Sequence, residues 1–164
     1  MPIVRQKFIS RKDLRDNPSQ FYVFGDNVQR SGYGGQAKQM RGEQNAIGVA
    51  TKWSPSMDPR SFFDETPACR AIVERDLLKI DELLRAGRTV VVPTDGIGTG
   101  LSQLPRRAPH LHHFIEGWFK GREKKIGLGR CPTCGEPGHM MEKRPNGNTI
   151  CIDGHSHPSS TFQR

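Results

Sequence analysis

Two glycine-rich segments of the sequence contain the residues with the clearest potential for chemistry. The first covers residues 25–37 (GDNVQRSGYGGQA), and the second covers residues 93–101 (PTDGIGTGL). Each follows an apolar run of β-strand type, residues 21–24 in the first case and residues 89–92 in the second. Glycine at the end of a strand lets the backbone approach a ligand and offer its N–H groups to an anion. We therefore expect the two segments to bind a diphosphate from both sides.

The residues expected to bind this ligand lie in the two segments or just after the first of them. They are Gly25, Gly32, Tyr33, Gly34, Gly35, Gln36, Ala37 and Arg41, and then Gly96, Ile97, Gly98, Thr99, Gly100 and Leu101. Tyr33 stands between glycines, where a core role is unnatural, so its ring is expected to stack on adenine or ribose. The first segment fits neither the Rossmann G-x-G-x-x-G pattern nor the P-loop pattern.

The elements that must position these segments alternate between strand, loop and helix. Strands are predicted at residues 21–24, 46–51 and 88–92, and helices at residues 66–86 and 105–119. Such alternation predicts an α/β domain with a parallel or mixed sheet that is flanked by helices. Sheets of this class bind ligands beyond the carboxyl ends of their strands, which is where both glycine-rich segments fall.

Three parts of the sequence resemble the macrodomain family of ADP-ribose-binding α/β domains. They are Asp26-Asn27, residues 32–37 (GYGGQA) and residues 96–101 (GIGTGL). The resemblance covers roughly residues 20–120 and is nearest to the branch that includes terminal ADP-ribose glycohydrolases. It implies a macrodomain-like fold over residues 1–121. It also implies binding of ADP-ribose or a related NAD-derived nucleotide, free or attached to a macromolecule.

The same resemblance leaves catalysis open. The glycohydrolase branch uses a lysine four residues after the loop alanine and an aspartate just after Gly-Leu, whereas this sequence has Arg41 and Ser102 there. Arginine cannot act as an amine nucleophile, so binding is the firmer expectation. Other macrodomains need only an asparagine and a positioned water. That implies contact of Asn27 with the distal ribose, and activation of water or orientation of the ligand by Asp26 or Asp95. Hydrolysis of an ADP-ribosyl linkage or a phosphate ester stays open.

The last 34 residues carry a metal-ligand pattern. Cys131 and Cys134 form a Cys-x-x-Cys-Gly turn, and Cys151 with His155 forms a Cys-x-x-x-His pair. Three thiolates and one imidazole make the closed tetrahedral site that structural Zn²⁺ prefers. His157 and His139 are alternatives for the fourth ligand. We expect a zinc ribbon over residues 130–164 after a charged linker at residues 122–129. The metal would supply the folding energy of a segment too short for a core of its own.

Composition limits the partners and the compartment. The formal net charge of +8 and the pI near 9.7 favour a polyanionic partner. The alternative function is therefore a nucleic-acid-binding protein with a zinc ribbon, whose glycine segments contact backbone phosphates. No apolar run is long enough for a membrane span, no signal peptide is evident, and the four cysteines do not suggest a disulfide framework. A cytoplasmic protein is expected, and the brevity of the domain suggests a phage-like setting.

Overall fold

The computed structural model describes residues 3–125 and, beyond them, the strands 142–143, 148–150 and 156–158. These residues divide into two units, residues 3–117 and the described residues from Trp118 onward. The first unit contains both glycine-rich segments. The elements over residues 3–125 are β1 (Ile3–Gln6), α1 (Arg11–Asp16), β2 (Phe21–Asn27), α2 (Ala37–Met40), β3 (Ala46–Lys52), a 3₁₀ turn (Pro59–Ser61), α3 (Pro67–Arg85), β4 (Val90–Pro93), α4 (Leu104–Arg107) and α5 (Pro109–Lys125).

The four strands β1 to β4 form one parallel sheet in the order β1-β4-β2-β3. Val90 of β4 is paired with Ile3 on one side and with Phe21 on the other, and Tyr22 of β2 is paired with Ala46. The expected α/β class, with a sheet flanked by helices, is confirmed, and the sheet is parallel throughout. Because parallel strands end at the same edge, the segments that follow β2, β3 and β4 meet there.

The two faces of the sheet are covered by different helices. Tyr22 and Phe24 of β2 pack on one face in a buried cluster with Leu14 of α1 and Met40 of α2. On α3, four buried apolar residues recur at helical spacing, namely Val73, Leu77, Ile80 and Leu84. Alternation along a strand sends Val23 to the face opposite Tyr22 and Phe24, and Val23 is also fully buried. The sheet therefore has a buried core on both sides.

Helix α1 consists almost entirely of charged residues, with Leu14 as the exception. Ser10 caps this helix: its hydroxyl accepts from the backbone N–H of Asp13, and the Asp13 carboxylate accepts from the backbone N–H of Ser10 at 2.8 Å. Such a capping box satisfies two N–H groups that a helix start leaves unpaired. Leu14 is then buried against the sheet, so six residues suffice for a helix.

The helix expected at residues 105–119 consists of two helices, and the second is longer than predicted. Pro109 disfavours helical backbone at the residue before it, and Ala108 has φ −144° and ψ 69°. Helix α5 then continues to Lys125, so residues 122–125 are helical where a linker was expected. Arg122 lies over the Trp118 ring at 3.5 Å and donates to the Trp118 carbonyl, which supports this last turn. Within the described residues, none of the helices combines the length and apolar character that crossing a bilayer requires.

The described strands beyond α5 form a second, antiparallel sheet. Its order is β5 (Glu142–Lys143), β6 (Asn148–Ile150) and β7 (Ser156–Pro158). Ile150 is paired with Ser156, and Thr149 is paired with His157. The expected zinc ligands Cys131, Cys134, Cys151 and His155, and the alternative ligand His139, lie outside the described residues.

Candidate functional site

A cleft of about 250 Å³ lies at the carboxyl edge of the parallel sheet. Gly25, Asp26 and Asn27 at the end of β2 line it, together with Lys52 at the end of β3 and Pro93 at the end of β4. Most residues of the two glycine-rich segments complete the lining. The structure thus brings both predicted segments to one site.

Two runs of backbone amides in the lining have no hydrogen-bond acceptor among the residues that the structure describes. Within the described part of the chain, no hydrogen bond from a backbone N–H is found at residues 34–37 or at residues 98–102. The amides on either side of the second run are bonded, since Ile97 donates to Glu116 Oε1 and Gln103 donates to Gly100 O. The fixed turn therefore leaves a run of donors available beside the cleft, and unpaired amides in such turns are suited to bind anions.

Close packing between the two segments explains several of their glycines. A Cβ atom at Gly25 would lie 3.2 Å from the backbone nitrogen of Gly98. Gly98 itself has φ +79°, and a Cβ there would lie 3.0 Å from Leu104. A Cβ at Gly34 would lie 2.8 Å from the Leu101 side chain. These glycines let one segment pack on the other, so part of the glycine pattern serves the fold of the cleft.

The Asp26 carboxylate is buried and engaged on several sides. It pairs with the guanidinium of Arg41 and with that of Arg30 at 3.4 Å, and it accepts from the backbone N–H of Asn27 at 2.8 Å. A Cβ at Gly48 would lie 2.4 Å from Asp26 Oδ2, so the carboxylate occupies the space that this glycine leaves. The two guanidinium groups and the Asn27 N–H hold this carboxylate in place, so Asp26 anchors the loop after β2.

Arg41 and Asn27 hold that same loop. Arg41 Nε donates to Gly32 O at 2.7 Å, and Arg41 Nη2 donates to Ser31 O at 3.2 Å. Asn27 Nδ2 donates to the same Ser31 carbonyl at 2.8 Å. Both residues line the cleft, yet their side chains are used to fix the loop backbone. The sequence predicts Arg41 as a ligand-binding residue and Asn27 as a catalytic residue, and these roles stay predictions; the contacts present in the structure are to the loop backbone.

Some of the remaining predicted site residues line the cleft and others do not. Asp95 is exposed in the lining, and no ion pair or hydrogen bond to its side chain is found within residues 3–123. Thr99, Gly100 and Leu101 also line the cleft. Tyr33 is 67% exposed and is not part of the lining, and Ile97 is fully buried in the core.

Lys52 is a site residue that the sequence-based prediction missed. It is only 5% exposed, and its ammonium donates to Ser56 O at 2.6 Å and lies 4.3 Å from the centre of the Phe62 ring. Among the described residues, no carboxylate lies within ion-pair distance of it. Burial lowers the pKa of Lys52, and the charge of Arg107 lowers it further. The sequence did contain a signal for this residue: a lysine directly after the predicted strand 46–51 must lie at the carboxyl edge of the sheet, where the site was expected.

No described group of three or more His, Cys, Asp or Glu side chains could hold a metal ion.

The comparisons with known proteins locate the chain in one family. A family model described as "Family of unknown function (DUF7831)" matches residues 4–118, a range that contains every residue lining the cleft. No curated protein and no solved structure matches the chain.

Proposed function

The chain belongs to the family of unknown function DUF7831, and from its cleft we propose that it binds ADP-ribose or a related NAD-derived nucleotide through the diphosphate. The observation that carries the proposal is the pair of unbonded amide runs at residues 34–37 and 98–102, both of which line one cleft. Backbone amides without acceptors are costly unless water or a ligand satisfies them. Two converging runs suit an anion with several oxygens, such as a diphosphate.

Charge in the cleft supports an anionic ligand. Lys52 and Lys7 both line the cleft, whereas the charge of Arg41 is neutralised by Asp26. A buried ammonium without a carboxylate partner is unfavourable by itself, and a bound phosphate would relieve that cost. Lys52 therefore serves as the counter-ion of the diphosphate in this proposal.

The size of the cleft supports a ligand that extends beyond it. Pockets that enclose a small molecule usually hold about 300–1,000 Å³, and this cleft holds about 250 Å³. The diphosphate and one sugar would occupy the cleft. The base would lie over the rim, where Tyr33 and Leu101 are exposed.

The proposal includes a second activity, the hydrolysis of an ADP-ribosyl linkage in the bound ligand. Asp26 and Asn27 are occupied in holding the loop, and Lys52 is the counter-ion of the diphosphate, so the group left for chemistry in the cleft is Asp95.

Calorimetric titration of the full chain tests the binding proposal. ADP-ribose is expected to bind in the micromolar range, about −8 kcal/mol, while adenosine, which has no phosphate, should bind much more weakly. A single-stranded oligonucleotide is titrated in parallel at two salt concentrations. Oligonucleotide binding with a steep salt dependence and no ADP-ribose binding would contradict the proposal and favour a nucleic-acid-binding protein.

A further inference from the structure

Two hydroxyl groups meet at the floor of the cleft. Ser102 lines the cleft, and its Oγ lies 2.6 Å from Oγ1 of Thr51, which is fully buried on β3. Thr51 Oγ1 also lies 3.1 Å from the backbone carbonyl oxygen of Asp26. Ser102, Thr51 and Asp26 O therefore form a short hydrogen-bonded chain that leads from the cleft into the sheet.

The hydrogen bonds that link Ser102, Thr51 and Asp26 O can have only one donor–acceptor arrangement. A carbonyl oxygen has no proton, so the contact between Thr51 and Asp26 O is a hydrogen bond only if Thr51 donates. Each hydroxyl carries a single proton. Thr51 has then used its own proton, and Ser102 must donate to Thr51. The Ser102 Oγ is left with lone pairs alone, and no other partner of this atom is found among the described residues.

The lining of the cleft is thus divided between donors and acceptors. The amides of residues 98–102 are donors, and Lys52 is a cation, so they suit phosphate oxygens. Ser102 Oγ is an acceptor, and the exposed Asp95 carboxylate is a second one. A phosphate oxygen at Ser102 would meet lone pairs, whereas a hydroxyl would donate a proton to them.

We propose that Ser102, oriented by Thr51, accepts a hydrogen bond from a free sugar hydroxyl next to the diphosphate. The cleft would then select ligands with an unmodified ribose. The inference rests on the proposed function and adds a substrate class to it. A ribose whose hydroxyl is phosphorylated would place acceptors against Ser102 and would be rejected. Thr51 is a positioning residue here, because it acts through Ser102.

The experiment compares a ligand that has the hydroxyl with one that lacks it. ADP-ribose and inorganic pyrophosphate are titrated into the wild-type chain and into Ser102→Ala. The loss of one hydrogen bond should weaken ADP-ribose binding about five- to tenfold, while pyrophosphate binding stays unchanged. Ser102→Thr keeps the hydroxyl and should retain most of the affinity. Thr51→Val removes the acceptor of the Ser102 proton, so Ser102 is no longer held as an acceptor. Like Ser102→Ala, this variant should have a smaller preference for ADP-ribose over pyrophosphate than the wild-type chain.

The matched control is Ser54→Ala. Ser54 and Ser61 form a similar hydroxyl pair at 2.7 Å, and neither residue lines the cleft, so neither affinity should change. Unfolding temperatures check that all variants fold. ADP-ribose binding that is unaffected by Ser102→Ala, or equal weakening of both ligands, would overturn the inference alone. Failure of the wild-type chain to bind either ligand would remove the proposed function and the inference together.

Discussion

Arg30 and Asp76 form an ion pair at the outer edge of the sheet, in which one guanidinium nitrogen contacts both carboxylate oxygens. Both oxygens of Asp76 lie 2.7 Å from Arg30 Nη2. Arg30 Nη1 donates to Gly48 O at 3.3 Å, and the backbone N–H of Ala50 donates to Asp76 Oδ2 at 2.8 Å. Gly48 and Ala50 belong to β3, the last strand of the sheet. The pair therefore satisfies edge groups that would otherwise be open to another strand.

Replacing Asp76 with alanine should destabilise the chain strongly. Asp76 is fully buried, and its loss leaves Arg30 without its main partner and the Ala50 amide without an acceptor. Breaking a buried pair from one side costs about 3–5 kcal/mol, and we expect about 3 kcal/mol because Arg30 is partly exposed. Urea unfolding measures the free energy of unfolding.

The control for Asp76 lies on the same helix. Glu74 forms an exposed i,i+4 pair with Arg70, and Glu74→Ala should change the free energy of unfolding by less than about 0.5 kcal/mol. Equal effects of the two substitutions would show that the Arg30–Asp76 pair has no special role.

Replacing Lys52 with methionine should stabilise the chain while weakening its ligand binding. Methionine keeps the length of the side chain and removes a buried ammonium that has no carboxylate partner among the described residues. We expect a gain of about 1 kcal/mol in stability and at least a tenfold loss in ADP-ribose affinity, about 1.4 kcal/mol. Thermal unfolding and calorimetry measure the two quantities. Lys38, which is exposed and outside the cleft, gives the control Lys38→Met. Unchanged affinity in Lys52→Met would contradict the counter-ion role.

The pH dependence of stability should also differ between the wild-type chain and Lys52→Met. The pKa of Lys52 in the folded chain is lowered from the ordinary value of 10.5. Between the folded and the unfolded pKa, the unfolded chain therefore holds one more proton, and the free energy of unfolding rises with pH. The stability advantage of Lys52→Met should shrink as pH rises from the folded pKa of Lys52 towards 10.5. Urea unfolding from pH 7 to about pH 11 covers the interval up to the ordinary value of 10.5, and a constant difference over that range would mean that the Lys52 pKa is not lowered.

Metal removal tests the terminal Cys-x-x-Cys motif. The purified chain should contain about one Zn²⁺, and Cys134→Ser should lose it because a closed tetrahedral site needs all four ligands. Elemental analysis measures the metal content. Cys69→Ser is the control, because Cys69 is a buried thiol of α3 whose pKa is raised by burial. Zinc that survives Cys134→Ser, or a Cys131–Cys134 disulfide in a chain without metal, would contradict the proposed ligand set.

The position of the cleft could be predicted from sequence, whereas the roles within it could not. Apolar runs ahead of Gly25 and Thr94 predict strands, and glycines after strand ends predict a site at that edge. By contrast, Thr51 and Ser102 meet across 51 positions of sequence. The engagement of Asp26 by Arg41 likewise depends on how the loop after β2 returns to the sheet. Sequence spacing therefore indicated which segments converge, and packing decided which side chains remain free.

Placing a negative charge beside the unbonded amides should abolish ADP-ribose binding. A Cβ at Gly100 meets no atom within 4 Å, so Gly100→Asp introduces a carboxylate into the cleft lining without a steric clash. That carboxylate would repel the diphosphate and compete for the amides of residues 98–102, so we expect a loss of at least about 100-fold, or about 2.7 kcal/mol. Gly117 on α5 is equally unobstructed and lies outside the cleft. Gly117→Asp makes the same change in net charge, and calorimetry should show unchanged affinity for that variant. A similar loss in both variants would mean that overall charge, rather than the amides of the cleft, controls binding.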